Sequence, residues 1–305
     1  MRVHASTSVH GLNADRPLTT AQKAAYFALN WINNRLPYRF LDPHLIVRDF
    51  TGPSLAAHWS DLPRRASPSR TLSDLFWLTL PWSAIGTELG AIHVLDAGCG
   101  SGSYGPRLLS WAEGRIASYT GTDVARREEW APLEASDRRL RFYPARAESF
   151  RDTIPDGTNF FMSQSAIEHF DEDLTFFEQI RDYVRATRGP VLQVHLVPSQ
   201  ACLRLYLLHG VRQYTPRTLS KITRLFVPDA YAVLYRLGGT TCNRVHYSFI
   251  TKPLLLLGRG DGRDVQPDEY DRQLFDAISS DMRRPQRSPA FYALVIHCRG
   301  KTRIF

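Results

Sequence analysis

The sequence predicts an α/β fold in which a mostly parallel, doubly wound sheet of seven strands follows a set of N-terminal helices. Short apolar runs alternate with segments of helical periodicity between about residues 92 and 198, a pattern typical of right-handed βαβ units. A glycine-rich turn directly follows the first run. Hydrophobic residues make up 43% and charged residues 22% of the 305-residue chain, which is near the globular average, so we expect a folded body of one or two lobes.

The N-terminal part is predicted to be helical. Residues 19–22 have the form of a capping box, which places the start of the first helix near Thr20. Residues 48–69 are rich in Pro, Ser, Asp and Arg and indicate a connecting segment, and residues 72–85 resume an apolar pattern. That apolar run is about half as long as a membrane span and contains a proline, so we interpret it as a core or lid helix. Residues 1–20 lack the apolar run of a secretory signal, so we expect no export.

Seven segments have the pattern of strands: residues 92–96, 119–124, 140–143, 159–163, 191–197, 231–237 and 291–298. The best-defined helix follows the fourth strand, because three acids at residues 171–173 favour its N-terminal end and Gly189-Pro190 stops it. We divide the chain into an N-terminal helical extension or lid (1–90), a central ligand-binding core (91–200) and a C-terminal part that completes the sheet and carries substrate-side insertions (201–305).

The glycine-rich turn reads V-L-D-A-G-C-G-S-G over residues 94–102. Glycines at alternate positions let the backbone turn sharply and let a ligand approach main-chain atoms at the start of the next helix. Residues 100–105 also satisfy G-x-G-x-x-G, which alone is weak evidence for a dinucleotide site. The turn could bind either the pyrophosphate of a dinucleotide or a ligand with an ammonium group. Asp96 favours the second, because a carboxylate at the strand end repels a pyrophosphate and suits an ammonium group.

In this turn the chain resembles the class I S-adenosylmethionine-dependent methyltransferases, whose first motif is hydrophobic-hydrophobic-Asp/Glu-x-Gly-x-Gly-x-Gly. The resemblance covers about residues 92–198 and implies a Rossmann-like fold with S-adenosyl-L-methionine as cofactor and S-adenosyl-L-homocysteine as product. It also implies which residues line the aminocarboxypropyl part of the cofactor: Asp96, Gly98, Cys99, Gly100 and Gly102.

The second strand ends in an acid, Asp123, about twenty residues past the glycines. Dinucleotide and methyl-donor sites both use such a carboxylate to accept hydrogen bonds from ribose hydroxyls, so we predict Asp123 and the adjacent Val124 at the cofactor. The family's third segment usually reads Gly-Asp-Ala-Glu, but residues 145–148 read Ala-Arg-Ala-Glu, so Arg146 replaces the acid. The adenine contacts are therefore expected from the Ala147 backbone and Glu148.

Residues 163–170, S-Q-S-A-I-E-H-F, are similar to the S-x-S-x-x-E-H segment of the small-molecule, type 11-like branch of the family. The resemblance implies Ser163 and Gln164 at the cofactor and Glu168 and His169 at the catalytic position. A histidine with a pKa near neutrality suits removal of a proton from the acceptor. The alternative is that Glu168 and His169 simply begin the next helix and bond locally.

A second histidine, His195, ends the fifth predicted strand, where it either faces the same crevice or is a satisfied core residue. A Glu-His pair in this segment can hold a divalent metal in relatives, but no second histidine pair at ligand spacing lies nearby in the sequence, so we expect no metal. His209 and His246 are weaker candidates.

The balance of 38 basic and 30 acidic residues favours anionic partners. Residues 201–228 contain no acid, and Arg217, Lys221 and Arg224 fall at helical spacing. This face is interpreted either as a solvated helix surface or as a contact for a phosphate-bearing acceptor or a membrane. Nucleic acid is not the expected partner, because the chain has neither the motifs of base-methylating enzymes nor an arginine run.

Together these patterns predict an S-adenosylmethionine-dependent methyltransferase that transfers a methyl group by in-line displacement to an oxygen or nitrogen atom of a small-molecule, sugar or lipid-linked acceptor. The alternatives are a noncatalytic binding module of the same fold and an NAD(P)-dependent oxidoreductase. The four cysteines are far apart and form no C-x-x-C pair, which favours a reducing cytoplasm, with peripheral membrane contact left open. The oligomeric state is not indicated.

Overall fold

The computed structural model of the chain describes residues 5–36, 41–52 and 54–305. Residues 1–4 of the stretch without a secretory signal, and residue 53 of the predicted connecting segment, lie outside this description. The strands are β1 (Leu45–Asp49), β2 (Ile92–Ala97), β3 (Ile116–Asp123), β4 (Leu140–Pro144), β5 (Phe160–Gln164), β6 (Val191–Pro198), β7 (Ala230–Leu237) and β8 (Phe291–Cys298).

The helices surround these strands. They are α1 (Thr20–Arg35), α2 (Leu55–His58), α3 (Pro68–Leu78), α4 (Trp82–Leu89), α5 (Tyr104–Trp111), α6 (Trp130–Ser136), α7 (Asp173–Ala186), α8 (Cys202–Leu205), α9 (Pro216–Thr223), α10 (Thr240–His246), α11 (Gly262–Val265) and α12 (Pro267–Met282). A π-helix (Tyr247–Leu256) continues α10, and short 3-10 turns lie at Trp59–Asp61, Ala147–Thr153, Ile167–His169 and Arg224–Phe226.

All eight strands belong to one sheet in the order β1-β7-β8-β6-β5-β2-β3-β4. The pairs are parallel except that β8 runs antiparallel to both β6 and β7. From β2 the chain proceeds outward to β3 and β4 and then returns to the other side of β2 with β5 and β6. The fold class is therefore confirmed, and the strand order reverses at β2 and β5, whose carboxyl ends flank the crevice that such sheets use for ligands.

The sheet has one strand more than the seven predicted. β1 lies at the edge and pairs in parallel register with β7, where Asp49 and Arg236 form an ion pair at 2.7 Å. The sequence predicts a connecting segment from residue 48 and no strand before it. This five-residue edge strand has no fully buried position, so its sequence shows no clear apolar pattern. Its pairing partner lies far along the chain, so no local pattern indicates it.

Helices cover both faces of the sheet. Alternate residues of β2 point to opposite faces, so Val94 belongs to one hydrophobic cluster and Leu95 to the other. The first cluster contains Trp77 of α3 and Leu274 of α12, and the second contains Phe177 of α7. Every residue of β6 and β8 is buried, as expected for central strands covered on both sides.

Two local predictions for the helices compare directly with the structure. The capping box is confirmed, because the side chains of Thr19 and Gln22 exchange hydrogen bonds with each other's backbone amides. Of the three bases predicted at helical spacing, Arg217 and Lys221 lie on α9, and Arg224 is its C-cap and begins the 3-10 turn that continues it. Arg217 donates to the carbonyl and side-chain oxygens of Asn33, and Lys221 donates to the Thr7 carbonyl, so both contact the N-terminal segment.

Helix α3, from the part of the chain before β2, packs against the carboxyl end of β5. Its Trp77 Nε1 donates to Gln164 Oε1 at 2.9 Å. In the described part of the chain, no helix combines the length and the hydrophobicity that a membrane crossing requires.

Candidate functional site

The glycine turn between β2 and α5 has left-handed backbone angles at Gly98, Gly100 and Gly102, with φ of 74°, 55° and 78°. A Cβ at Gly98 or Gly102 would lie 2.5 Å from Ala166 or Phe142 respectively, so the packing of the protein itself requires glycine there. A Cβ at Gly100 would meet nothing within 4 Å. The protein therefore leaves open space above Gly100, which a ligand can occupy.

Asp96, at the end of β2, has a buried carboxylate that the protein satisfies only in part. Tyr119 donates to its Oδ2 at 2.5 Å, whereas its Oδ1 is buried with no hydrogen-bond partner among the described residues. Burial, together with the charge of Asp123, raises the pKa of this carboxyl to about 7, against the opposing hydrogen bond from Tyr119. An unpartnered buried oxygen is costly, so a ligand that supplies a donor or a positive charge is stabilised here.

Asp123, at the end of the neighbouring β3, holds the turn in place. Its Oδ2 accepts from the Gly100 amide at 2.9 Å and its Oδ1 from the Val124 amide at 2.8 Å. Trp130 Nε1 donates to the Gly100 carbonyl at 2.9 Å and fixes the same residue from the other side. Arg127 also donates to Asp123 Oδ1 at 3.4 Å, so one of the roughly four acceptor positions of the carboxylate remains for a ligand hydroxyl. The apolar side chain of Val124 is 63% exposed directly beside it.

Helix α3 places two charged residues, Arg70 and Asp74, beside the glycine turn. Neither residue was predicted from the sequence. Fully buried Asp74 accepts hydrogen bonds from Tyr104 Oη and from Arg107 at 3.1 Å. Arg70 lies 3.4 Å from Asp74 and stacks 4.5 Å above the Tyr104 ring. The positive charge of Arg70 opposes the rise in the pKa of Asp96 that burial causes. The only sequence signal was the (i, i+4) spacing of Arg70 and Asp74, which is common on helix surfaces.

The side chains of Ser163 and Gln164, predicted at the cofactor, bond to other parts of the protein. Ser163 Oγ lies 2.9 Å from His195 Nδ1, and both side chains are fully buried. His195 packs edge-on against Phe177, and burial lowers its pKa to about 3, so it is neutral at physiological pH. Of the two interpretations of His195, the structure supports the core residue. Gln164 accepts from Trp77, as described above.

Three further residues were predicted at the cofactor: Cys99, in the glycine turn, and Ala147 and Glu148, in the 3-10 helix that follows β4. The Ala147 carbonyl accepts from Gln179 Nε2 at 2.6 Å, so that oxygen is already used within the protein. Glu148 is exposed in the first turn of the adjoining 3-10 helix. Burial raises the pKa of the Cys99 thiol far above its usual value, with the charges of Asp96 and Asp123 adding to the effect, so the thiol is protonated.

Glu168 and His169 lie in the 3-10 turn that follows β5. This turn adjoins the glycine turn, because Ala166 is the residue that a Cβ on Gly98 would strike. Glu168 is fully buried, and neither of its carboxylate oxygens has a hydrogen-bond partner in the described ranges. Burial raises the pKa of Glu168 to about 7, against the opposing charge of His169. Buried Glu168 and partly exposed His169 therefore form a polar cluster before the start of α7. The alternative, in which the two residues begin that helix and bond locally, does not describe this arrangement.

The fold brings a third titratable residue to this pair. His209 Nε2 lies 4.0 Å and His169 Nε2 lies 3.9 Å from the same oxygen, Glu168 Oε1, and the two imidazole rings are 4.7 Å apart edge to face. Burial lowers the pKa of His209, and the neighbouring His169 adds to this effect. His209, a weaker candidate from the sequence, follows Glu168 by about forty residues, and the fold brings the two together.

The N-terminal segment orients the cluster. Asp15 Oδ2 lies 2.6 Å from His169 Nδ1, while Asp15 Oδ1 accepts from the Gly210 amide at 3.1 Å. Buried Arg212 donates to the carbonyls of Ile167 and Phe170 and so holds the turn that carries Glu168. Because Asp15 engages Nδ1, Nε2 is the nitrogen that His169 directs towards Glu168. Neither Asp15 nor Arg212 was predicted, since nothing local distinguishes them.

No family model and no curated protein matches the chain in sequence. Similar solved structures include the plantazolicin methyltransferase BamL in complex with a triazolic desmethylPZN analog and SAH, at 13% identity over 76% of this chain and 85% of that chain, with a TM-score of 0.43. A SAM-dependent methyltransferase from Archaeoglobus fulgidus is similar at 19% identity, 80% and 100% coverage and a TM-score of 0.43. The [4+2]-cyclase SpnF is similar at 14% identity, 77% and 84% coverage and a TM-score of 0.44.

Proposed function

We propose that the chain is an S-adenosylmethionine-dependent methyltransferase that acts on an oxygen or nitrogen atom of a small-molecule, sugar or lipid-linked acceptor. The observation that carries this proposal is the buried Oδ1 of Asp96, which has no hydrogen-bond partner among the described residues and lies on the strand that leads into the glycine turn. It lies at the point where the strand order of the sheet reverses. A carboxylate in that position suits the ammonium group of an amino-acid tail and disfavours a pyrophosphate.

The residues around the turn fit the remaining parts of the cofactor. Arg70 is the cation that we assign to the carboxylate of the amino-acid tail, because its charge already acts on Asp96. Asp123 keeps an acceptor position for a ribose hydroxyl. The exposed side chain of Val124 offers an apolar surface to the adenine ring, and the Ala147 backbone and Glu148 are the further adenine contacts of this proposal.

The cofactor supplies a methyl group on a sulfonium, which is transferred in one displacement step. The protein therefore has to hold the acceptor atom in line and close, and such positioning contributes roughly 7 to 11 kcal/mol to lowering a barrier. An acceptor hydroxyl or amine also has to lose a proton. In the metal-free protein, His169 Nε2 accepts that proton, with Asp15 on Nδ1 stabilising the resulting imidazolium.

Isothermal titration calorimetry tests the cofactor assignment. We expect the protein to bind S-adenosylhomocysteine, Asp96→Ala to abolish binding, and His169→Gln to retain binding while losing methyl transfer. The acceptor is sought by mass spectrometry, as a gain of one methyl group across nucleotide-sugar, lipid-phosphate and phenolic compounds. Binding of NAD(P) without S-adenosylhomocysteine would instead identify an oxidoreductase, and cofactor binding with no turnover on any acceptor would favour a noncatalytic module.

The lipid-linked class of acceptor is supported by an exposed apolar surface, here called the leucine surface, formed by Tyr247 and residues 254–257. Its five side chains are 38% to 51% exposed, although all are large and apolar. Exposed Lys252 and Arg259 lie next to it in the chain. Apolar side chains flanked by bases suit an anionic membrane surface. We therefore propose peripheral contact with anionic lipid through the leucine surface.

Sedimentation with phosphatidylserine-containing vesicles tests this contact. We expect the wild-type protein to sediment at low salt and less at high salt, and Leu256→Asp to remain in the supernatant. Ile32→Asp is the matched control, because Ile32 is an apolar residue of similar exposure, 45% against 51%, on a different helix. Failure of the wild-type protein to sediment at low salt, or equal loss in both variants, would remove the membrane proposal.

A further inference from the structure

We propose that Glu168, His169 and His209 together bind a divalent transition-metal ion. One ligand atom from each residue can be chosen so that all three lie within 4.8 Å of one another. The inference goes beyond the proposed function, because binding of the metal does not require the methyl donor.

The distances fit a shared cation better than direct hydrogen bonds. Both Nε2 atoms lie 3.9 to 4.0 Å from Glu168 Oε1, which is beyond hydrogen-bond range. In a tetrahedral site with metal–ligand bonds of about 2.0 to 2.2 Å, neighbouring ligand atoms lie roughly 3.4 Å apart. The ligand atoms now lie within 4.8 Å of one another. The side chains of His169 and His209 are 32% and 38% exposed, so rotation of the two rings can bring these atoms to the tetrahedral spacing.

Glu168 is the strongest independent indication of a ligand. Its side chain is fully buried, and both oxygens lack a hydrogen-bond partner among the residues that the structure describes. Burial without a partner is costly for a carboxylate. The two imidazole nitrogens lie 3.9 and 4.0 Å from its Oε1, and a cation held between the three residues would supply the missing interaction.

The surroundings of His169 also match those of a metal ligand. Metal-bound histidines commonly donate their second ring nitrogen to a carboxylate, which fixes the tautomer and the ring orientation. Asp15 Oδ2 occupies that position, 2.6 Å from His169 Nδ1, and leaves Nε2 directed at Glu168. Asp15 is itself held by the Gly210 amide, next to His209 in the chain.

The ligand set indicates the class of metal. Two imidazoles and one carboxylate suit Zn²⁺, Co²⁺, Mn²⁺ or Fe²⁺, whereas Mg²⁺ and Ca²⁺ prefer oxygen ligands. Three protein ligands leave at least one coordination position open. If the proposed function holds, a hydroxyl of the acceptor can occupy that position, where the ion lowers its pKa and the proton passes to solvent water. His169 Nε2 then acts as a ligand and no longer as the proton acceptor.

Cobalt binding tests the site without any methyl donor. The untagged full-length protein is dialysed against a chelator and titrated with Co²⁺, with the visible ligand-field absorption as the readout and Zn²⁺ as competitor. We expect one equivalent of Co²⁺ to bind and to be displaced by Zn²⁺. Asp15→Asn should weaken binding by about 10- to 100-fold, as expected for loss of the outer partner of a ligand, and His209→Ala should weaken it further.

Two controls make the outcomes decisive. His44→Ala removes an exposed histidine outside the cluster and should leave Co²⁺ binding unchanged. Each variant is also titrated with S-adenosylhomocysteine, which shows whether the fold and the glycine turn are intact. No Co²⁺ uptake by the wild-type protein, or equal uptake by wild type and His209→Ala, overturns the metal site even if S-adenosylhomocysteine binds. Failure of S-adenosylhomocysteine alone overturns the proposed function and not the metal site.

Discussion

Replacing Asp96 by asparagine should stabilise the ligand-free protein while abolishing cofactor binding. Burial raises the pKa of this carboxyl from 3.8 to about 7. A difference of about 3 pKa units corresponds to about 4 kcal/mol at 1.36 kcal/mol per unit. This is the cost of keeping Asp96 ionised in the folded state above pH 7.

The sign follows from proton linkage. Between about pH 4 and pH 7 the folded protein binds a proton at Asp96 that the unfolded chain has released, so this group makes the free energy of unfolding fall as pH rises. Below about pH 4 both states are protonated and the difference vanishes. The asparagine of the variant would carry no charge and can still accept from Tyr119, but its amide is buried at a cost of about 1 to 3 kcal/mol. The net gain expected at pH 8 is therefore about 1 to 3 kcal/mol.

Urea unfolding at pH 8 and pH 5, with and without S-adenosylhomocysteine, measures both effects. Without ligand, Asp96→Asn should be the more stable protein at pH 8, and the advantage should shrink or reverse at pH 5. Ligand should stabilise only the wild type. Asp156→Asn, the same change at an exposed position, should alter neither result. A variant less stable than wild type at pH 8, or one that still gains stability from the ligand, would refute the role given to Asp96.

The remaining predictions concern the same crevice. Affinity for S-adenosylhomocysteine should fall about tenfold per pH unit below about pH 7, because the ionised form of Asp96 binds the ammonium group; calorimetry from pH 6 to pH 8 that shows constant affinity would contradict this. Gly98→Ala should lower the free energy of unfolding strongly, since its Cβ would lie 2.5 Å from a neighbouring side chain. Gly100→Ala should mainly abolish ligand binding, because its Cβ would enter the open space that the ligand occupies in this proposal. Equal destabilisation of the two glycine variants in urea would count against this distinction. Ser163→Ala should cost about 1 to 3 kcal/mol of stability by removing the hydrogen-bond partner of His195 Nδ1, yet retain binding; loss of binding with unchanged stability would instead favour the contact predicted from the sequence.

The sequence by itself was sufficient for features that depend on neighbouring residues. The capping box at Thr19, the order of β2 to β8 and the glycine turn after Asp96 all follow from patterns a few residues long. Periodicity determines which faces are apolar, and glycine spacing determines where the backbone can turn, so these features are readable before any folding is considered.

Only the tertiary structure decided which distant side chains meet. β1 joins the sheet through β7, and Ser163 turns into the core towards His195. Glu168 comes to lie beside His209, and His169 beside Asp15. The physical reason is that each of these contacts depends on the packing of segments far apart in the chain. No local periodicity or propensity specifies such a contact, because it forms only when the whole sheet and its covering helices are assembled.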